Sequence, residues 1–264
     1  MFTSKFIPKK NSSRLINQKD IHEARADFLN NRTNNLHYLL QKRYGWISSY
    51  IEGKDTVLEV GSGPGLISDY LKEKIILTDL VKYPWIDKEM SAEKLDFPDN
   101  SIDVIICSCV LHHLPHPILF LKEAERTLKP NGVLIVIDIK FSILAKMVMG
   151  FVKIEGWDYG VNVYDSTKSV IEGSDSMDAN LAVPDLFFSD TKMFSQNLPK
   201  LKIESKKYFE CFIFLISGGI RNKSKTIQLP FVVLKMVHIL DKFLIYLMPQ
   251  FFALSKKIVL RKQN

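Results

Sequence analysis

Apolar positions along this chain change period several times, and each change predicts an element. Between residues 21 and 51 they recur at helical spacing, most plainly at Trp46, Ile47, Tyr50 and Ile51, which share one face. The period then collapses to a β-branched run, Thr56-Val57-Leu58-Glu59-Val60, closed by Gly61-Ser62-Gly63-Pro64-Gly65. A short apolar run ending in such a turn predicts a parallel strand buried on both faces. Leu66, Ile67, Tyr70 and Leu71 return to helical spacing, and residues 75–79 and 103–107 predict further strands. Pro117 opens a helix whose inner face is Ile118, Leu121, Ala124 and Leu128. Lys129-Pro130-Asn131-Gly132 stops it ahead of a strand at 132–138. Strands alternating with helices imply βαβ units and a parallel sheet covered on both faces.

Further on the pattern is less regular. Residues 141–153 predict an amphipathic or apolar helix, and 154–185, rich in Gly, Asp, Ser and Asn, a long loop or lid. A long strand is expected at 202–215, an amphipathic helix at 231–248 and a short final strand at 257–260. In the 231–248 helix Lys235, His238, Asp241 and Lys242 recur at helical spacing and leave a broad apolar face. Such a stripe more commonly packs on a sheet; the alternative is a membrane interface. The longest uncharged apolar stretch, 243–255, contains Pro249 and falls short of the roughly 18 residues that span a bilayer.

Composition excludes some classes. With 46% hydrophobic and 25% charged residues, the chain is neither disordered nor fibrous. Residues 1–20 are polar and basic, which suggests a flexible arm with no signal-peptide core. Cys107, Cys109 and Cys211 are too few for a disulfide framework and lack a spaced ligand quartet. A reducing cytoplasm and no metal site are therefore expected. From Lys200 onward thirteen lysines and arginines face three acids, which suggests either an anionic partner at that end (a membrane surface, a phosphorylated substrate or nucleic acid) or a solvated basic face with no partner.

The glycine turn carries the first chemical signal. Side chains at Gly61, Gly63 and Gly65 would keep a ligand from the backbone. The third glycine comes two residues after the second, whereas a dinucleotide fingerprint places it three after. Glu59 would sit badly beside a pyrophosphate but suits a ligand bearing an ammonium group. Asp79, ending the next strand, can accept both hydroxyls of a ribose. Asp96 is placed to accept from the exocyclic amine of adenine, with Phe97 packing beside the base. The loop Ser108-Cys109-Val110-Leu111-His112-His113-Leu114-Pro115 follows a central strand, at the carboxyl end where open α/β sheets bind ligands.

The series VLEVGSGPG, Asp79, LDFPDNSID, VLHHLPHP and LKPNGVLIV resembles the type 11 branch of the Rossmann-like S-adenosylmethionine methyltransferases over roughly residues 45–140. The resemblance implies a doubly wound α/β fold: a mostly parallel seven-stranded sheet, an antiparallel last strand, and helical N- and C-terminal additions. It implies one domain from 21 to 264, with a cofactor core at 45–140, a lid or substrate-side insertion at 141–200, and C-terminal strands and helices at 201–264. The compact Asp79-to-Asp96 interval leaves a short third strand at 92–95. S-adenosylmethionine is the implied cofactor. Glu59, Gly61, Gly63 and Gly65 would hold its methionine portion, Asp79 the ribose and Asp96 the adenine, with Ser62, Leu80, Phe97 and Ser108 completing the site.

A hydroxyl acceptor must lose a proton, and His112, His113 and His116 are candidate bases, with Asp138 another; the histidines alternatively only shape the pocket. Residues 178–184, Ser217-Gly218-Gly219 and Phe252-Ala253-Leu254 are faintly similar to methyltransferases encoded with bacterial surface-polysaccharide enzymes. The expected acceptor is a small molecule, sugar or lipid-linked group. Quinone or lipid C-methylation is the alternative, and a non-catalytic scaffold or an NAD-dependent oxidoreductase the more distant ones. No Asn/Asp-Pro-Pro-Tyr loop points to nucleic acid. A monomer or homodimer is expected, cytoplasmic, with peripheral contact at the inner face of the membrane through the basic C-terminal segment.

Overall fold

The computed structural model describes residues 4–7, 18–152, 155–173, 178–219 and 226–264; most of the expected arm lies outside them. The chain begins with β1 (Lys5–Phe6), α1 (Gln18–Asn31), α2 (Asn34–Tyr44) and α3 (Ser48–Ile51). The alternating part holds β2 (Val57–Val60), β3 (Ile76–Asp79), β4 (Lys88–Glu89), β5 (Ile102–Ser108), α4 (Pro117–Thr127) and β6 (Leu128–Ile139). Then come α5 (Ile143–Val152), β7 (Trp157–Asp158), α6 (Val183–Ser189), α7 (Thr191–Asn197) and β8 (Leu201–Phe209). The chain closes with α8 (Phe212–Ile216), α9 (Phe231–Leu247), α10 (Pro249–Phe252) and β9 (Ser255–Lys262).

Seven strands form one sheet in the order β4-β3-β2-β5-β6-β9-β8. The pairs from β4 to β6 are parallel, whereas β9 runs antiparallel to both β6 and β8. This is a doubly wound, mostly parallel α/β sheet with an antiparallel last strand, as expected. The chain moves outward from β2 to β4, then returns to lay β5 on the other side of β2. The crevice at that reversal, outside the carboxyl ends of β2 and β5, is where such sheets bind ligands. Every residue of β2 is buried, and apolar clusters cover both faces of the sheet.

Three elements depart from expectation, each for a visible reason. The third strand is Lys88–Glu89, where Thr78 and Asp79 find register partners, while Ala92 and Leu95 are buried as loop residues. The expected strand at 202–215 ends at Phe209. Glu210 takes a left-handed φ of 59°, and the Asp241 carboxylate accepts from the backbone N–H groups of Cys211, Phe212 and Ile213, starting α8 instead. The region expected as a lid packs down: Val163, Val170 and Ile171 enter the core. Buried Asn180 stitches it together, its N–H donating to His112 O at 2.9 Å and its amide to Val170 O at 2.9 Å.

Helix α9 forms as expected but faces the other way. Its buried residues are Leu234, Asp241 and Ile245. Phe231, Val232, Met236, Ile239, Phe243 and Tyr246 are exposed, so most of its apolar face lies outside the core. Among the described residues no helix is long and apolar enough to cross a membrane.

Candidate functional site

The turn after β2 takes left-handed backbone at Gly61, Gly63 and Gly65, with φ of 61°, 50° and 64°. The three glycines serve different ends. A Cβ on Gly61 would lie 2.5 Å from Val110 Cγ2, and one on Gly65 2.8 Å from Trp85 Cδ1. Those two are required by packing. A Cβ on Gly63 would meet nothing within 4 Å, so this glycine borders open space at the sheet's carboxyl edge.

Asp79, at the end of β3, holds the turn from the side. Its Oδ2 accepts from Gly63 N at 2.8 Å and its Oδ1 from Val81 N at 3.3 Å. Ser62 is buried, and its hydroxyl donates to Glu59 O at 3.3 Å. The Glu59 side chain is buried too, and its Oε2 has no hydrogen-bond partner among the described residues. Burial pushes the Glu59 carboxyl up to about 8; the Asp79 charge adds to the shift and the Ser62 hydroxyl opposes it. An orphaned buried carboxylate is costly unless a cation completes it. With the unpartnered Glu59 oxygen on the strand that leads into the open turn at Gly63, the edge fits a ligand that brings an ammonium group.

Two residues that periodicity did not single out close over this turn. Trp85 Nε1 donates to Gly63 O at 2.8 Å, and Arg25 of α1 donates to Pro64 O at 2.5 Å. The Arg25 guanidinium sits 4.7 Å above the Trp85 ring, which stacks on Tyr83. The remaining expected cofactor residues are scattered in character. Leu80 is 55% exposed beside Asp79, and Phe97 is half-buried against the core. Asp96 is solvent-exposed, its carboxylate 2.6 Å from Lys88 Nζ, and that ammonium holds it below the usual carboxylate range. Ser108 Oγ is buried beside the Tyr44 hydroxyl.

The histidine loop lies at the carboxyl end of β5. Cys109 enters it at a φ of 58°, its N–H donating to Ile137 O at 2.7 Å, and a 3₁₀ turn spans Leu111–His113. Arg43 of α2, fully buried, reaches Cys109 Sγ at 3.7 Å and clamps Glu210 through Nε at 2.9 Å and Nη2 at 2.5 Å. His112 Nδ1 lies 2.5 Å from Asp138 Oδ1, both buried, and Asp138 Oδ2 has no partner among the described residues. Burial opposes the charged ring of His112, but Asp138 and Glu155 outweigh it and its pKa is raised. His113 Nδ1 donates to Asp178 O at 3.1 Å, and burial, then the neighbouring His112, lower its pKa to about 4. His116 is instead occupied at the start of α4, its N–H donating to Glu93 Oε1 at 2.6 Å.

The two histidines thus differ in office: His112 forms a buried acid–imidazole pair, whereas His113 stays neutral. One donor atom from each of His112, His113 and Glu155 lies within 4.8 Å of the others, a set that could hold a divalent cation. No motif marks Glu155 in the sequence, which is why no such cluster was expected.

The family model described as "Methyltransferase domain" matches residues 58–136, which contain the glycine turn, Asp79, Asp96 and the histidine loop. An uncharacterized methyltransferase of Schizosaccharomyces pombe is 28% identical over 113 aligned residues, covering 33% of this chain and 41% of that protein. The match thus spans less than half of that curated relative. Among solved structures, a SAM-dependent methyltransferase from Archaeoglobus fulgidus is 15% identical, covering 85% of this chain and 93% of its own, with a TM-score of 0.49. A protein of Bacillus halodurans is 19% identical, covering 85% and 99%, also with a TM-score of 0.49.

Proposed function

We propose, on the premise that residues 58–136 make this chain a member of the class I S-adenosylmethionine-dependent methyltransferases, that it methylates a hydroxyl of a small-molecule, sugar or lipid-linked acceptor. When bound, S-adenosylmethionine supplies a methyl group on a sulfonium, together with the ammonium, ribose and adenine by which it is held. Glu59 would receive the ammonium, and Gly61, Ser62, Gly63 and Gly65 would let that end approach the backbone. Asp79 would take the ribose hydroxyls. Leu80 and Phe97 would cover the base, Asp96 would accept from its amine in exchange for Lys88, and Ser108 would turn its hydroxyl to the ligand.

His112 is the group that takes the acceptor's proton. Its Nδ1 is held by Asp138, which leaves Nε2 as the basic nitrogen, and Asp138 stabilises the imidazolium as the proton arrives. His113 positions the loop through Asp178 O rather than titrating. Peripheral membrane contact through α9 and the lysines around it belongs to the same reading and is supported by the helix's outward apolar face.

The observation that carries the cofactor assignment is the buried Glu59 carboxyl, whose Oε2 has no hydrogen-bond partner among the described residues, on the strand that runs into the Gly63 turn, where a Cβ would meet nothing within 4 Å. Calorimetric titration with S-adenosylhomocysteine and NAD tests it. Binding of the first and not the second is expected, with Glu59→Gln weakening it; the reverse preference, or no binding by the wild type, overturns it. His112→Gln should lower methyl transfer by about 10²–10⁴-fold with S-adenosylhomocysteine affinity unchanged. A chelator should leave turnover unchanged; abolished turnover would move the work from His112 as base to a cation held by the same loop.

A further inference from the structure

A cavity of 560 Å³ lies on the same face of the sheet as the His112–Asp138 pair. Asp138 of β6 and Lys256 of β9 are register partners, and partners across an antiparallel pair project to one face. Lys256 lines the cavity, joined by Lys140, Lys146 and Lys206, with Tyr159 and Tyr208 completing the polar wall. One carboxylate faces these four ammonium groups. Asp185 of α6 accepts from Lys140 at 2.9 Å and also from Lys256, whose side chain is only 1% exposed. The other two lysines have no carboxylate in the cavity. Lys206 donates to Phe188 O at 2.6 Å, and the Lys146 ammonium lies 5.0 Å from the centre of the Tyr159 ring.

Fastening α6 to the sheet would require one lysine for Asp185. Burying a second on the same carboxylate, and lining the mouth with two more, leaves the cavity strongly cationic, a costly arrangement without an anion. Its volume falls in the range of small-molecule sites and far exceeds that of a lone phosphate. Ile143 of α5 lines the cavity beside the lysines and is exposed, and farther along that helix Met147 and Phe151 are exposed too.

We propose that this cavity receives the phosphate of a phosphorylated acceptor and holds it while the rest of the acceptor reaches His112. A phosphate offers several charged oxygens to converging ammonium groups, which a single carboxylate cannot match. The name "acceptor" rests on the methyl-transfer reading; binding of the phosphate does not. The phosphate's carrier, a soluble sugar or a lipid, is distinguished by the test.

The full chain is titrated calorimetrically with glucose 1-phosphate, with glucose, and with dihexanoyl phosphatidic acid held below its micelle concentration. The titrations are repeated on K146E/K206E, which changes half-buried Lys146 and exposed Lys206 and leaves buried Lys140 and Lys256 in place. Binding of glucose 1-phosphate but not glucose, weakened at least tenfold in the variant, supports the proposal with a sugar-borne phosphate. Binding of the short-chain lipid alone, weakened likewise, supports it with a lipid-borne one. No binding of either phosphate, or equal binding by the variant, overturns it. S-adenosylhomocysteine affinity, measured alongside, should be the same in both proteins. If S-adenosylhomocysteine fails to bind either protein while the phosphate binds, the methyl-transfer reading falls and the cavity assignment stands.

Discussion

Helices α4 and α9 both carry a broad apolar stripe with polar residues at helical spacing, and the fold uses them in opposite senses. In α4 the stripe of Ile118, Leu121 and Ala124 is buried, while Lys122 points to solvent. In α9 the acid Asp241 is 1% exposed, whereas Met236 and Ile239 are 64% and 66% exposed. The cause is position. Helix α4 joins the parallel neighbours β5 and β6 and must cover the sheet between them. Helix α9 follows β8 at the sheet's edge, where Asp241 grips the start of α8. Periodicity shows that a helix has two unlike faces; a single buried carboxylate can decide which one looks inward.

The largest effect should come from that carboxylate. Asp241→Ala strips two buried N–H groups and one part-buried N–H group of their acceptor, and at about 1–3 kcal/mol for each unsatisfied donor the loss is on the order of 3–9 kcal/mol. Leu121→Ala, which empties part of the buried face of α4, should cost about 2–5 kcal/mol. Urea unfolding of both variants measures this, and an Asp241→Ala cost below about 1 kcal/mol would show that the polar attachment does not orient α9.

Next come substitutions at the cofactor edge, where loss is expected in binding more than in stability. Gly63→Val places an isopropyl group in the open space at the glycine turn. It should cost about 1–2 kcal/mol of stability for the left-handed backbone while abolishing S-adenosylhomocysteine binding. Wild-type affinity in a folded Gly63→Val would remove the site from this edge. Asp79→Ala should weaken the same ligand by on the order of 1–3 kcal/mol, and a change under threefold would count against the ribose role.

Glu59 supplies a pH test whose sign follows from its raised pKa of about 8. Below that value the free protein holds the carboxyl neutral, so a ligand ammonium must first drive a proton off. Affinity for S-adenosylhomocysteine should therefore rise up to about tenfold per pH unit toward 8 and then level off, about 1.4 kcal/mol per unit. Glu59→Gln should flatten the profile. The stability consequence runs the other way: a carboxyl raised in the folded state stabilises fully below its ordinary value, 4.5, and that contribution is lost as pH climbs through 8. Glu59→Gln should thus gain on the wild type in alkaline urea melts, and identical melts at pH 6 and pH 9 would contradict the buried charge.

How much of this was legible in the sequence depended on whether the deciding contact was local. The run at Val57–Val60, its glycines and the position of Asp79 are set by chain neighbours and by strand ends, so their order could be read directly. The end of β8 could not, because Glu210 and Asp241 act together only after α9 has folded back. The cavity lysines were equally hidden, since Lys140, Lys206 and Lys256 come from three separate segments. Asp185 joins two of them through a helix that looked like loop sequence. The placement of Glu155 beside His112 and His113 likewise needs the packing of the region after α5.

The smallest stability effect should come from the outward face of α9. Met236 and Phe243 are 64% and 58% exposed, so M236S/F243S removes little buried area and should change unfolding free energy by no more than about 0.5 kcal/mol. Were these side chains core, the same change would cost several kcal/mol, as large-to-small core substitutions do. Membrane association should respond in the opposite way. Lys235 and Lys242 lie on the same helix, so an apolar face bordered by cations should hold the chain to anionic vesicles more tightly than to neutral ones, and salt should weaken the attachment. In co-sedimentation the wild type is expected in the pellet with anionic vesicles, and M236S/F243S in the supernatant with its melting curve unchanged. Recovery of the wild type in the supernatant with both lipids would remove the bilayer as the occupant of this face. A light-scattering mass of two chains that falls to one in M236S/F243S would then assign the face to a second copy.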